Sequence, residues 1–209
     1  MKLGLILECP TEGTDHLVYK YVAQQLCPQL KIIVEGHRNK KLMIDNCGKT
    51  AKLLLKNCDA VAIIWDLMPP WEEKRRRKPC RNRDVDMILK NLENANIDRL
   101  AIKSKIKLIC IEPELEAWII TERKALESYQ QEKHPTHPKR FCPPKNISRT
   151  SKYCKPIIEK YLGNYNDIYD AIKIVQHFDN FDKVARKHTS FRRLKEFIDD
   201  LCQSSNRNR

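Results

Sequence analysis

The chain has 209 residues and a formal net charge of +13, with 41% of residues hydrophobic and 32% charged. That length suits one ordinary to large domain with a real core, and no apolar window is long enough to span a bilayer. A cationic chain attracts polyanions by neutralising phosphates and releasing counterions, so nucleic acid is the first partner expected.

Lys2 is followed by only a few apolar residues before Glu8, and no small-residue cleavage site follows, so no secretory signal is expected. The nine cysteines form no CxxC pair. They read as reduced thiols in a cytoplasmic protein.

Leu3–Leu7 is a short apolar run with the character of a buried strand. Leu17, Val18, Tyr21, Val22 and Leu26 then recur at helical spacing, with Thr14 as the expected cap. "LKIIVEG" at Leu30–Gly36 predicts a second strand, and Ala51, Leu54, Leu55 and Cys58 mark a second helix. "AVAIIWD" from Ala60 to Asp66 predicts a third strand, followed by a helix through Val85, Ile88, Leu89 and Leu92. "IKLICIEP" from Ile106 to Pro113 predicts a fourth strand, and "ELEAWIITERKAL" reads as one helix. Strands that are apolar along their whole length and alternate with helices predict an α/β fold. The expected architecture is a Rossmann-like parallel sheet with helices on both faces.

Residues 1–128 form this expected α/β domain. From 129 to 209 the chain turns into a loop rich in proline and basic residues, then helices near Asp167–Phe178 and Phe191–Cys202. This small C-terminal helical extension is expected to pack on the same domain through Leu194, Phe197, Ile198 and Leu201. His134, His137, Cys142 and Cys154 match no common zinc spacing.

In a parallel sheet the residues just past each strand gather along one edge, where α/β proteins bind ligands. Glu8 follows the first strand, Asp66 closes the third, and Glu112, Glu114 and Glu116 lie where the fourth passes into its helix. Carboxylates brought together repel one another, and each is costly to desolvate. Mg²⁺ or Mn²⁺ resolves the conflict, since hard cations take oxygen ligands. Glu12 is read equally as a ligand or as an acid favoured at a helix N-terminus. "ECPTEGTD" contains neither GxGxxG nor GK[ST], which removes dinucleotide and Walker-type phosphate binding. A phosphoacceptor receiver domain would need a lysine after a fifth strand, and no clear candidate exists.

"LILECPTEG", "AIIWDLMPPWE", "RDVDMILKNL" and "ICIEPELEAWII" carry a family resemblance. The chain resembles toprim-like proteins, in particular those related to the OLD-nuclease toprim module and often encoded beside ATPases of the ABC/SMC type. The resemblance implies a catalytic role for Glu8 and Asp66. It makes Glu8, Glu12 and Asp66 ligands of Mg²⁺ or Mn²⁺, and Glu114 and Glu116 ligands of a second ion. It further implies metal-dependent phosphodiester cleavage, an ATPase partner and a role in antiphage defence. The family's DxD motif departs here, because Met68 stands where the second aspartate belongs. Glu72, Glu73 or Asp84 would have to supply that oxygen. Otherwise the chain is an inactive toprim-like subunit that binds nucleic acid or protein. Beside the Asp66 segment, "EKRRRKPCRNRD" places Arg75, Arg76, Arg77, Lys78, Arg81 and Arg83 in position for a phosphate backbone.

Overall fold

The computed structural model describes residues 1–10, 13–68, 80–142 and 154–207. Four strands, β1 (Lys2–Leu7), β2 (Lys31–Gly36), β3 (Ala60–Asp66) and β4 (Ile106–Ile111), form one sheet in the order β2-β1-β3-β4. Every pairing is parallel, with Leu7 opposite Ile64 and Asp66 opposite Ile111. The expected α/β, Rossmann-like architecture is the one observed.

Side chains alternate across a strand, so each strand serves two cores. Leu3, Leu5, Leu7, Ala62, Ile64, Ile109 and Ile111 face one side. Ile6, Val61, Ile63, Trp65 and Cys110 face the other. The second face is covered by α2 (Lys40–Leu54), α3 (Arg81–Asn94) and the short α4 (Arg99–Lys105). On the first face lie α1 (Thr14–Leu26), α5 (Glu116–Thr121), α6 (Arg123–Lys133), α7 (Cys154–Leu162), α8 (Asp167–Gln176), α9 (Phe181–Lys187) and α10 (Thr189–Arg207). Residues beyond 129 therefore share the core of the sheet: Ile158, Ile174, Val184, Phe191, Leu194 and Ile198 are all buried with Leu3 and Leu5. Each such side chain contributes about 1.5–3 kcal/mol on burial. Trp118 anchors the junction, edge-on to both Tyr19 and Phe191 at centroid distances of 5.7 and 4.8 Å.

Several local expectations change. The first helix is capped by Gly13, without a side-chain hydrogen bond, and Thr14 lies inside it. The second helix ends at Leu54, with Cys58 beyond it. "ELEAWIITERKAL" is broken into α5 and α6 at Glu122, whose backbone leaves the helical region at φ −94° and ψ 68°. The reason is non-local: the buried Glu122 carboxylate accepts hydrogen bonds from Lys183 Nζ at 2.9 Å and Lys187 Nζ at 3.0 Å. Short helices α4, α7 and α9 stand where no helix was expected, since one or two turns carry little periodic signal. Cys27 and Cys202 form a disulfide between the end of α1 and α10, which corrects the reading of all nine thiols as reduced.

Candidate functional site

Parallel pairing brings the C-terminal ends of β1, β3 and β4 side by side, and the acids that follow them come with it. Glu8 turns toward β3, where its Oε1 accepts the Asp66 backbone N–H at 3.1 Å. Glu8 Oε2 and Asp66 Oδ1 are buried without a hydrogen-bond partner among the described residues, as is the hydroxyl of Tyr19 on α1. Such groups are costly to leave unsatisfied.

Burial pushes the Glu8 carboxyl from its usual 4.5 up to about 8; Lys40 and the Asp66 N–H oppose the rise, while Asp15 and Asp84 add to it. Asp66 is raised well above its ordinary value, again chiefly by burial and then by Asp15, Glu8, Glu116 and Glu114. Asp15, in the first turn of α1, is raised to about 6 by burial, with Lys155 opposing. Burial and mutual repulsion thus raise several carboxyls together at one sheet edge, which makes that edge the candidate site.

Two cations flank this edge from opposite faces. Lys40 begins α2; it is buried and donates from Nζ to the Leu67 carbonyl at 2.9 Å. Lys155, in α7, places Nζ 2.9 Å from Asp167 Oδ2 and 3.6 Å from Glu116 Oε1, while its backbone N–H reaches Glu114 Oε1 at 3.2 Å. Burial lowers the Lys155 pKa, but Glu116 and Asp167 outweigh it and hold the ammonium charged. Glu116 is buried, raised to about 7 mainly by desolvation, and also accepts from the Tyr165 hydroxyl at 3.4 Å. Glu114 and Glu116 therefore stand near Asp66 but are engaged by a lysine of the C-terminal region.

Other sequence candidates fall into three places. Asp84 is buried on the α2–α3 side and accepts the Trp65 indole N–H at 3.3 Å, and Trp65 belongs to the core on that side. Arg81 lies 3.9 Å from Glu112, and Arg83 has buried nitrogens without partners. Glu12, Arg75, Arg76, Arg77 and Lys78 lie outside the described residues, as do Trp71, Glu72 and Glu73. Met68 is half-buried and donates its backbone N–H to the Pro113 carbonyl at 3.0 Å; its thioether side chain carries no oxygen to offer a hard cation.

Asp15, Lys40, Lys155 and Asp167 were not singled out from sequence. A signal existed for the lysines. Both Lys40 and Lys155 sit in the first turn of a helix, where a cation opposes the macrodipole and needs a compensating anion.

Among the described residues no three His, Cys, Asp or Glu side chains gather closely enough to hold a metal ion. Glu8 and Asp66 nonetheless offer two unpartnered hard oxygens. Mg²⁺ commonly takes only one or two carboxylates and fills its shell with water and substrate phosphate, so the pair fits such an ion. Among the described residues no helix is long and apolar enough to cross a membrane. No protein-family model, curated protein or solved structure matches the chain.

Proposed function

We propose that the chain is a toprim-like, divalent-metal-dependent nuclease that hydrolyses phosphodiester bonds of DNA or RNA. The observation carrying this reading is the Glu8–Asp66 pair, with its bridging hydrogen bond and two buried, unpartnered oxygens. Glu8 and Asp66 would hold Mg²⁺ or Mn²⁺, Glu12 would complete the set, and Glu114 and Glu116 would serve a second ion. When bound, the ion neutralises charge on the phosphoryl oxygens and lowers the pKa of water.

The chain's own residues supply the rest. The Asp66 N–H fixes Glu8 Oε1, which leaves the unpartnered Oε2 as the oxygen Glu8 would offer the ion. Lys155 engages Glu116 through its ammonium and Glu114 through its backbone N–H, so a second ion at these two acids would have to displace or share that lysine. The net charge of +13 draws the polyanionic substrate to the surface. Resemblance extends the proposal to an effector of antiphage defence that works with an ABC/SMC-type ATPase.

A second reading is favoured by Met68 and by the lack of a third converging ligand among the described residues. In it the chain is an inactive toprim-like subunit that binds nucleic acid or protein. Cleavage of plasmid DNA and tRNA with Mg²⁺ or Mn²⁺ separates the two. Cutting lost by more than about a hundredfold in both Glu8→Ala and Asp66→Ala supports the enzyme. No cutting by wild type, with or without the ATPase, supports the binding subunit.

A further inference from the structure

Next to the edge strand β4 lies a cavity of about 260 Å³ that the proposed chemistry does not use. Its walls come from three distant stretches: Arg81 at the start of α3, Glu112 just past β4, and Lys187, Thr189, Ser190 and Arg193 around the α9–α10 junction. We propose that this cavity seats one backbone phosphate of a nucleic-acid strand lying across the carboxylate edge. The identity of the polyanion rests on the nuclease reading; the seat itself rests on the geometry.

Charge is the first ground. Among the described residues, Arg81, Lys187 and Arg193 line the cavity against one lining carboxylate, Glu112, which stands 3.9 Å from Arg81 Nη1. Lys187 shares the Glu122 carboxylate with Lys183, so two ammonium groups are balanced by one anion. Arg193 makes no ion pair with any described residue and brings a planar array of donors suited to phosphate. Among the described lining residues, cationic side chains outnumber the carboxylate.

Directed donors are the second ground. Ser190 is 6% exposed, and its Oγ accepts the Trp118 indole N–H at 3.0 Å. The acceptor side of that hydroxyl is thereby engaged, which leaves its proton to donate. Thr189, an exposed residue, opens the nineteen-residue helix α10, so the positive end of the helix adds to the side-chain charge.

Position is the third ground. Asp66 pairs with Ile111 across β3 and β4, so Glu112 and the cavity lie one strand away from the Glu8–Asp66 pair. A strand whose scissile bond lies over Asp66 would carry a neighbouring phosphate toward Arg81 and Arg193. The sequence points to the basic run ending at Arg83 for the backbone contact; among the described residues of that run, Arg81 lines this seat.

The test is binding in EDTA, where no cutting occurs, using labelled twelve-nucleotide DNA and RNA at roughly 50 and 200 mM NaCl. Arg193→Gln is expected to weaken binding about three- to tenfold at the lower salt and to reduce the salt slope by about one. Arg81→Gln combined with it should weaken binding further. Lys103→Gln, on exposed α4, removes the same charge elsewhere and should change affinity less than about twofold. Unchanged thermal stability of Arg193→Gln shows that the fold is intact. Wild-type affinity in Arg193→Gln, or an equal loss in Lys103→Gln, overturns the seat. So does thermal stabilisation by inorganic phosphate that needs Arg193 while oligonucleotide affinity does not, since the cavity then takes free phosphate. A protein that never cuts but loses Arg193-dependent binding sinks the nuclease reading alone; one that cuts and binds without Arg193 sinks the seat alone.

Discussion

The Glu8 carboxylate reaches from the end of β1 to the Asp66 backbone N–H at the end of β3, at 3.1 Å, across two residues separated by 58 positions. This contact ties two neighbouring strand ends together and leaves one oxygen of each acid buried and unsatisfied. It sets both the cost the fold bears at this edge and the means of relieving it.

The first prediction concerns cation and pH. Glu8, Glu116 and Asp15 have pKa values raised to about 8, 7 and 6, and Asp66 is raised as well. The folded state therefore keeps protons that the unfolded chain releases above about pH 4.5, so stability without divalent ion falls as pH rises toward 8. Mn²⁺ or Mg²⁺ needs the deprotonated groups, so its stabilisation should grow over the same window. At a hundredfold over its Kd an ion adds about 2.7 kcal/mol, or about 5–10 °C in Tm for this size. Differential scanning calorimetry should show that shift at pH 8, little of it at pH 5, and none in Glu8→Gln. Asp66→Asn should melt higher than wild type in EDTA at pH 8, because it removes a carboxyl whose ionised form burial disfavours.

Lys155 is predicted to hold Asp15, Glu116 and Asp167 together at this edge. Its side chain is 49% exposed, so solvent screens the pair, and Lys155→Met should cost about 1–2 kcal/mol near pH 8. At pH 5 the loss should shrink, since Glu116 and Asp15 are then protonated. Urea unfolding at the two pH values measures this, and a loss independent of pH would exclude the electrostatic explanation.

His188 titrates in the opposite sense. Burial, helped by Lys187, pushes its pKa from 6.5 down to about 4, and its Nε2 meets the Thr121 hydroxyl. Below pH 6.5 the unfolded chain takes up a proton that the folded one resists, so this group withdraws about 2 kcal/mol of stability between pH 7 and 5. Relative to wild type, His188→Gln should gain that much stability between pH 7 and 5 in parallel urea titrations, whatever the other groups contribute to both. Equal losses in the two proteins would show that the imidazole does not resist protonation.

Gly48 in α2 should reject alanine. A Cβ there would lie 2.0 Å from the Asn91 carbonyl oxygen and 3.1 Å from the Ala95 Cβ. The neighbouring helix cannot yield locally, since Asn91 Nδ2 is bound to the Ile44 carbonyl at 2.8 Å. Gly48→Ala usually helps a helix by about 0.5–1 kcal/mol, but here overpacking should cost about 1–3 kcal/mol. A raised Tm in Gly48→Ala would show that α2 and α3 can part.

Local order determines the strands and one edge of acids, and both were legible. Continuous apolar runs such as Ala60–Ile64 can only be buried on both faces, which demands a parallel sheet with helices on each side. Once strands run parallel, Glu8, Asp66 and Glu112 must end at the same side. What surrounds those acids was decided only in three dimensions. Lys155 arrives from beyond residue 142, Lys40 from the opposite face, and Glu122 breaks a regular helix because Lys183 and Lys187 draw its charge inward. Periodicity records which side of an element is apolar; charge pairing depends on distance through space, to which separation along the chain is no guide.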